Sequence, residues 1–231
     1  MGAATLAVTG SGSVAHDLID STEMYLRTVL ELEEEGIPAL RARLSERLGL
    51  SAPAVSEGVA RLEDQGLLRL REDRTVELTE DGRERAEHVM RKHRLAERLL
   101  VDVLGIEHEH VHEEACRWEH VISDRVEAKL VEFLGNPSTS PYGNPIPGAA
   151  YDDVADLTNL SEVEPGAVTV HRISEQLQGD HDVMRRFDEH GLRSGRTVAV
   201  RREGGQIVIE VDGEAIRLDP DAARLVYVTA E

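Results

Sequence analysis

Cysteine is almost absent from this chain, with Cys116 alone among 231 residues. A disulfide framework is thereby excluded, and a reducing cytoplasm is the expected compartment. Aromatic residues are scarce at 3%, and lysine is scarcer, with Lys92 and Lys129 set against 24 arginines. No apolar run approaches the roughly 20 residues of a bilayer span, and no charged-then-apolar leader precedes a cleavage site. Positive charge is in deficit too: 45 Asp and Glu outnumber 26 Lys and Arg, a formal net charge of -19. A surface so rich in carboxylates stays soluble by self-repulsion, and molar salt screens that repulsion to a Debye length of about 3 Å. The composition suits a salt-rich cytoplasm and points to a halophile, although a GC-rich coding bias accounts for arginine over lysine equally well. What is present is 40% hydrophobic residues, enough for real cores in one to three domains.

Three parts follow from the pattern along the chain. Residues 1–14, rich in Gly, Ala, Ser and Thr without periodicity, read as a flexible tail. Helical spacing appears from Asp17 to Glu35, ended by Gly36-Ile37-Pro38, then in a short helix from Leu40 to Leu48 and another carrying Val55, Val59 and Leu62. Two short alternating segments, Leu67–Arg71 and Thr75–Leu78, make a hairpin. That order is a winged helix-turn-helix, assigned to residues 15–79. Thr79 caps a long helix expected to run through about Leu104, and two more helices are expected over Glu109–Arg117 and Trp118–Leu134. Linker character is expected to begin at Gly135-Asn136-Pro137 and to include Pro141, Pro145 and Pro147. The helical part is placed at 80–148 and a linker at 149–159. Strand-like segments then recur over 160–231, with one helix near Asp180–His190, the pattern of a small SH3-like barrel.

A net charge of -19 argues by itself against nucleic acid, but the charge is unevenly spread. Residues 40–74 hold seven arginines against six carboxylates, a net of +1, leaving -20 on all the others. The helix after Gly49 offers Ser51, Pro53, Ser56 and Glu57 on one face and Val55, Val59 and Leu62 on the other. A recognition helix needs this division, with small or polar groups toward the major groove. Because affinity for DNA falls log-linearly with salt, binding in molar salt would lean on apolar and hydrogen-bond contacts, such as Pro53 against a thymine methyl.

The densest chemistry lies in the helical part. His112, Cys116, Glu119 and His120 fall at offsets 0, 4, 7 and 8, one stripe of a helix where an apolar face would be normal. His93 and Glu97 form an i, i+4 pair upstream among Leu95, Leu99 and Leu100. Such groups are costly to bury unless paired or bound to metal, and a sulfur, imidazole and carboxylate set suits Fe(II), Co(II), Ni(II) or Zn(II) over Mg or Ca. His108 and His110 are expected in solvent near a loop. The spacing matches no HExxH-type motif, so a regulator rather than an enzyme is expected, with a metalloenzyme as the alternative of another class.

Four stretches carry a resemblance: Ser21–Thr28 (STEMYLRT), Met90–Leu100 (MRKHRLAERLL), Glu114–His120 (EACRWEH) and Gly143–Gly148 (GNPIPG). Together they closely resemble the DtxR/IdeR family of metal-dependent repressors, almost continuously over 17–148 and more loosely beyond. The resemblance implies a mainly α chain with β: a winged helix, a helical dimerisation domain and a C-terminal SH3-like, FeoA-like domain. It also implies a homodimer that, loaded with Fe(II) at two sites per subunit, binds a palindromic operator in double-stranded DNA and silences iron-uptake genes. Carried over residue by residue, the activating site would be Met24, Cys116, Glu119 and His120, with the Cys116 carbonyl or a water completing the shell. The ancillary site would be His93, Glu97 and His112, joined by Glu175 and Gln178 of the β domain. The start of the first helix, about Leu18–Ser21, is implied to unwind near the phosphates.

Sulfur from Met24 and Cys116 favours Fe(II) over Mn(II), since manganese sensors of this family carry carboxylates there; Mn, Co, Ni or Zn could still load in a tube. A manganese- or other-metal-responsive regulator of the same fold is therefore the nearest alternative. For DNA the candidates are Ser21, Arg41, Ser51, Pro53, Ser56, Glu57, Arg61 and Arg74. Glu57 departs from the family's frequent Gln and would accept from cytosine N4, and Asp64 stands where a phosphate-binding Arg can sit, so the operator is expected to differ. In the β domain, the Asp180-His181-Asp182 and Asp188-Glu189-His190 clusters are expected to be solvated surface.

Overall fold

The computed structural model describes residues 21–151, 154, 155 and 157–230. The tail expected at 1–14 and the helix start at Leu18 lie outside them. The first domain comprises α1 (Ser21–Glu34), α2 (Arg41–Leu48), α3 (Ala52–Asp64) and the hairpin β1 (Leu68–Leu70) and β2 (Val76–Leu78). Gly49, at φ 65, ends α2, and Ser51 caps α3 by accepting from the Ala54 N–H at 3.4 Å. Leu26, Val29, Leu44, Val55, Val59, Leu62 and Val76 close one core. Gly58 lets α1 and α3 approach, because a Cβ there would overlap the Tyr25 ring, whose hydroxyl donates to the Ala54 carbonyl.

Thr79 caps α4 (Glu80–Arg98) by accepting from the Gly82 N–H at 3.1 Å. The helix expected to continue unchanged to Leu104 loosens to π-helical winding over Leu99–Leu104 and stops at Gly105, φ 66. Next comes α5 (His108–Trp118). The expected helix over Trp118–Leu134 is corrected: the chain turns after Trp118, whose carbonyl accepts from Val121 and Ile122, and α6 spans Asp124–Phe133 under a Ser123 cap. The proline-rich stretch after α6 is not a loose connection. Ser140, Tyr142, Asn144 and Ile146 are buried in it, and Asn144 Nδ2 donates to the Ile173 carbonyl at 2.8 Å. Gly143, at φ 84, is required there, since a Cβ would overlap the His171 carbonyl.

The last domain is a six-stranded antiparallel sheet in the order β3-β8-β4-β5-β6-β7. Its strands are β3 (Thr158–Asn159), β4 (Gly166–Ile173), β5 (Thr197–Glu203), β6 (Gln206–Val211), β7 (Glu214–Leu218) and β8 (Val226–Ala230). β3 falls inside the stretch expected to be linker; its two residues pair with Val228 and Tyr227, too short a run to show alternation. The last strand returns to lie beside β4, with a register shift between Val170 and Arg172. The helices α7 (Glu175–Gln178), α8 (His181–Glu189) and α9 (Pro220–Ala223) bridge the strands. Val111 and Ala115 of α5 share one core with Val168, Leu177, Met184 and Phe187, so this domain is seated on the helical one.

Candidate metal centre

The cluster forms where α1, α4, α5 and α7 meet. On α4, His93 is fully buried: Nδ1 lies 2.6 Å from Glu119 Oε2 and Nε2 lies 3.0 Å from Glu97 Oε1. On α5, Cys116 Sγ is 3.5 Å from His112 Nε2. Among the described residues, His93, Cys116 and Glu119 can converge on one point, and so can His93, Glu97 and His112. The first group joins Cys116 and Glu119 of the expected activating set to His93 of the expected ancillary set, the second is His93, Glu97 and His112, and the two share His93.

Not every expected ligand joins them. Glu119 and His120 lie beyond the end of α5, although the Glu119 N–H still donates to the Ala115 carbonyl at 2.9 Å. His120 Nε2 sits 3.2 Å from Glu119 Oε1, while its Nδ1 is bonded to Glu23 of α1. Met24, half-buried, follows Glu23 on that helix. Glu175 is buried but accepts from Arg94 Nε at 2.8 Å, and Gln178 Nε2 donates to the Ile173 carbonyl at 2.8 Å. Asp180 caps α8, and Asp188 takes part in ion pairs with Arg193 and His108.

Sequence reasoning missed Arg27, Arg94 and Glu23. Arg27 Nη1 donates to both Glu119 oxygens at 2.7 Å and to Cys116 Sγ at 3.2 Å. No local signal marks Arg27, a charge in a helical run whose burial appears only in the fold. Arg94 bonds Glu34 of α1, Glu175 of α7 and the Pro145 carbonyl.

Charge in the cluster is balanced internally. Burial pushes the Cys116 thiol and the Glu119 carboxyl up, but Arg27 foremost outweighs it and holds both well below their ordinary values, helped by His112 at the thiol and by His120 and His93 at the carboxyl. Burial works against charge on the histidines, yet Cys116 and Glu97 push His112 up to about 9, and the bonds to Glu119 and Glu23 push His120 up to about 9.

The residues fit a metal. Glu97 Oε2, His112 Nδ1 and Gln178 Oε1 are buried without a hydrogen-bond partner, and His112 Nδ1 is 3.9 Å from Glu97 Oε1, too far to bond. Orphaned polar atoms of this kind are costly in a folded protein, and coordination, with loss of the imidazole proton, would satisfy them.

On the first domain, Ser21, Ser51, Pro53, Glu57, Arg61 and Arg74 are exposed, and Arg41 and Ser56 are half-buried. Arg61 Nη2 donates to Ser21 Oγ at 3.3 Å, tying α3 to the first turn of α1. Among the described residues no helix is long and apolar enough to cross a membrane.

Comparison with known proteins covers the chain in three blocks. Residues 17–76 match the iron dependent repressor N-terminal DNA binding domain, 79–148 the iron dependent repressor metal binding and dimerisation domain, and 158–230 the FeoA domain. The chain is 50% identical to the iron-dependent repressor IdeR of Mycobacterium tuberculosis over 92% of its own length and 98% of that protein's. It is 47% identical to the diphtheria toxin repressor of Corynebacterium efficiens, covering 92% of this chain and 96% of the relative. A solved manganese-dependent transcriptional repressor in complex with manganese superposes with a TM-score of 0.77 at 33% identity, over 91% of this chain and all of the other.

Proposed function

The chain belongs to the iron-dependent repressor family, a transcriptional repressor with DNA-binding, metal-binding and dimerisation, and FeoA domains, and from that premise we propose that Fe(II), held by Met24, Cys116, Glu119 and His120, switches on operator binding. One observation carries this reading: α1 of the DNA-binding domain reaches the metal cluster directly, through Arg27 to Cys116 and Glu119 and through Glu23 to His120. Bound there, a divalent ion would supply a Lewis-acid centre common to both domains. Met24 stands on α1 and the other three residues on or just after α5, so ligation by all four fixes α1 against α5. The spacing of two recognition helices in a dimer is then set, and the differential contacts of the two states give the coupling its free energy.

His93, Glu97 and His112 make the ancillary site, and the orphaned Gln178 oxygen and the neighbouring Glu175 support a share for the β domain. Ser51, Pro53, Ser56 and Glu57 of α3 read base edges, while Ser21, Arg41, Arg61 and Arg74 hold phosphates. The partner is a second copy of the chain. Of seven large apolar side chains left exposed among the described residues, Val103, Leu104, Val121, Val126 and Phe133 lie on the helical domain. Its targets are iron-uptake genes in a cytoplasm.

Anaerobic binding to the gene's own upstream DNA, in high salt with Fe(II), Mn(II) or no metal, tests the reading. Wild type binds with Fe(II), and Met24→Ala lowers Fe(II) affinity by roughly 10–100-fold and loses metal-dependent DNA binding with the fold intact. Equal activation by Mn(II) would assign the manganese-responsive alternative, and unchanged activation of Met24→Ala would remove the assigned site.

A further inference from the structure

Arg27 has a place in the cluster that neither its sequence context nor the proposed ligand set explains. Its side chain is 5% exposed, in the middle of the buried face of α1. Nε donates to Glu31 Oε1 at 2.7 Å on the same helix, and Nη1 donates across the domain boundary to Glu119 and Cys116. Two of the four residues assigned to the activating metal thus already hold a cation, tethered to α1. The sulfur and carboxylate lone pairs facing Nη1 are the ones a divalent ion would need, and an ion placed there would meet like charge at contact distance.

We propose that Arg27 is a built-in competitor for the activating metal: its guanidinium holds Cys116 and Glu119 in the metal-free protein and must withdraw from them for those residues to ligate. This rests on the activating-site assignment made above. It gives the site a threshold, because binding is weaker than the ligand set alone would allow. It also gives the switch a moving part. Arg27 and Met24 are three residues apart on one helix, about 4.5 Å along its axis and on neighbouring positions of its surface. One face of α1 therefore carries both the metal-free clamp and the metal-bound ligand, and exchanging one for the other repositions α1 on α5 together with the recognition helix. Glu31 keeps the withdrawn guanidinium paired, so no buried charge is stranded.

The test is an anaerobic Co(II) titration of the full-length protein, read by thiolate-to-metal charge-transfer absorption, which reports ligation by Cys116. Arg27→Gln keeps a polar side chain, shorter than arginine, and removes its charge. Its Co(II) affinity should rise by about tenfold or more, and the metal-free protein should melt lower, so that Co(II) raises its Tm further than in wild type. Unchanged or weaker Co(II) binding by Arg27→Gln overturns the proposal and leaves Arg27 a structural clamp. Should that variant not fold, Arg27→Met, also uncharged, carries the same test: binding tightens, and unchanged binding rejects the idea. Met24→Ala in the same titration separates the two readings. Weakened binding keeps the activating site whatever Arg27→Gln does, whereas unchanged binding means the site itself was misassigned.

Discussion

Arg74 sits at the tip of the β1–β2 hairpin with φ 70, a left-handed conformation that glycine adopts without the Cβ penalty. The phosphate contact proposed for Arg74 would account for a charged residue at a position where the turn itself favours glycine. Arg74→Gly should fold at least as stably as wild type while binding operator more weakly, and the slope of log affinity against log salt should fall by about 1. An unchanged slope in salt-titrated binding would take Arg74 off the DNA. Ser51, Pro53, Val55 and Leu62 were readable from sequence because each follows a local rule, a cap or a helix face. Arg27 was not. A buried arginine looks like any charge in a helical run until its partners on another helix are in place, and Glu119 is 92 residues away. For the same reason Glu175 was assigned to metal alone, although Arg94 holds it.

Among the elements, the helix-to-strand order was legible because hydrophobic period and caps are local signals, but the joints were not. The π-helical winding at Leu99–Leu104 and the break between α5 and α6 interrupt stretches whose apolar spacing reads as continuous helix. Both joints leave apolar side chains uncovered: Val103 is 48% exposed and Leu104 53% in the first, and Val121 64% at the second. If these surfaces meet a second copy, Val103→Glu combined with Leu104→Glu should shift the protein from dimer to monomer in sedimentation and reduce operator affinity by roughly 100-fold or more, since each half-site is then bound alone. A double variant that stays dimeric would move the interface elsewhere, with the Val126 and Phe133 face of α6 the next candidate.

In the whole molecule, Arg94 is the point where all three domains meet, since it bonds Glu34 of the DNA-binding domain, the Pro145 carbonyl of the helical domain and Glu175 of the β domain. Burial opposes its charge, but Glu175 and Glu34 outweigh that and keep it protonated. Arg94→Met leaves a buried carboxylate without its cation, so unfolding should cost about 3–5 kcal/mol less in chemical denaturation, and the β domain should become more accessible to protease than the winged helix. A loss below about 1 kcal/mol would mean that the shared apolar core of α5 and the β domain, not this arginine, fastens the domains.

By itself the sequence determined the succession of a winged helix, a helical part and a β domain, and the family, because caps, periodicity and the family motifs are written along the chain. Only the tertiary structure decided which of the candidate ligands come together. It joined the two clusters at His93, turned His120 toward Glu23, gave Glu175 to Arg94, and set Arg27 against Cys116 and Glu119. Those pairings depend on how α1, α4, α5 and α7 cross, and crossing is set by side-chain packing between residues far apart in sequence, where no local pattern records the partner.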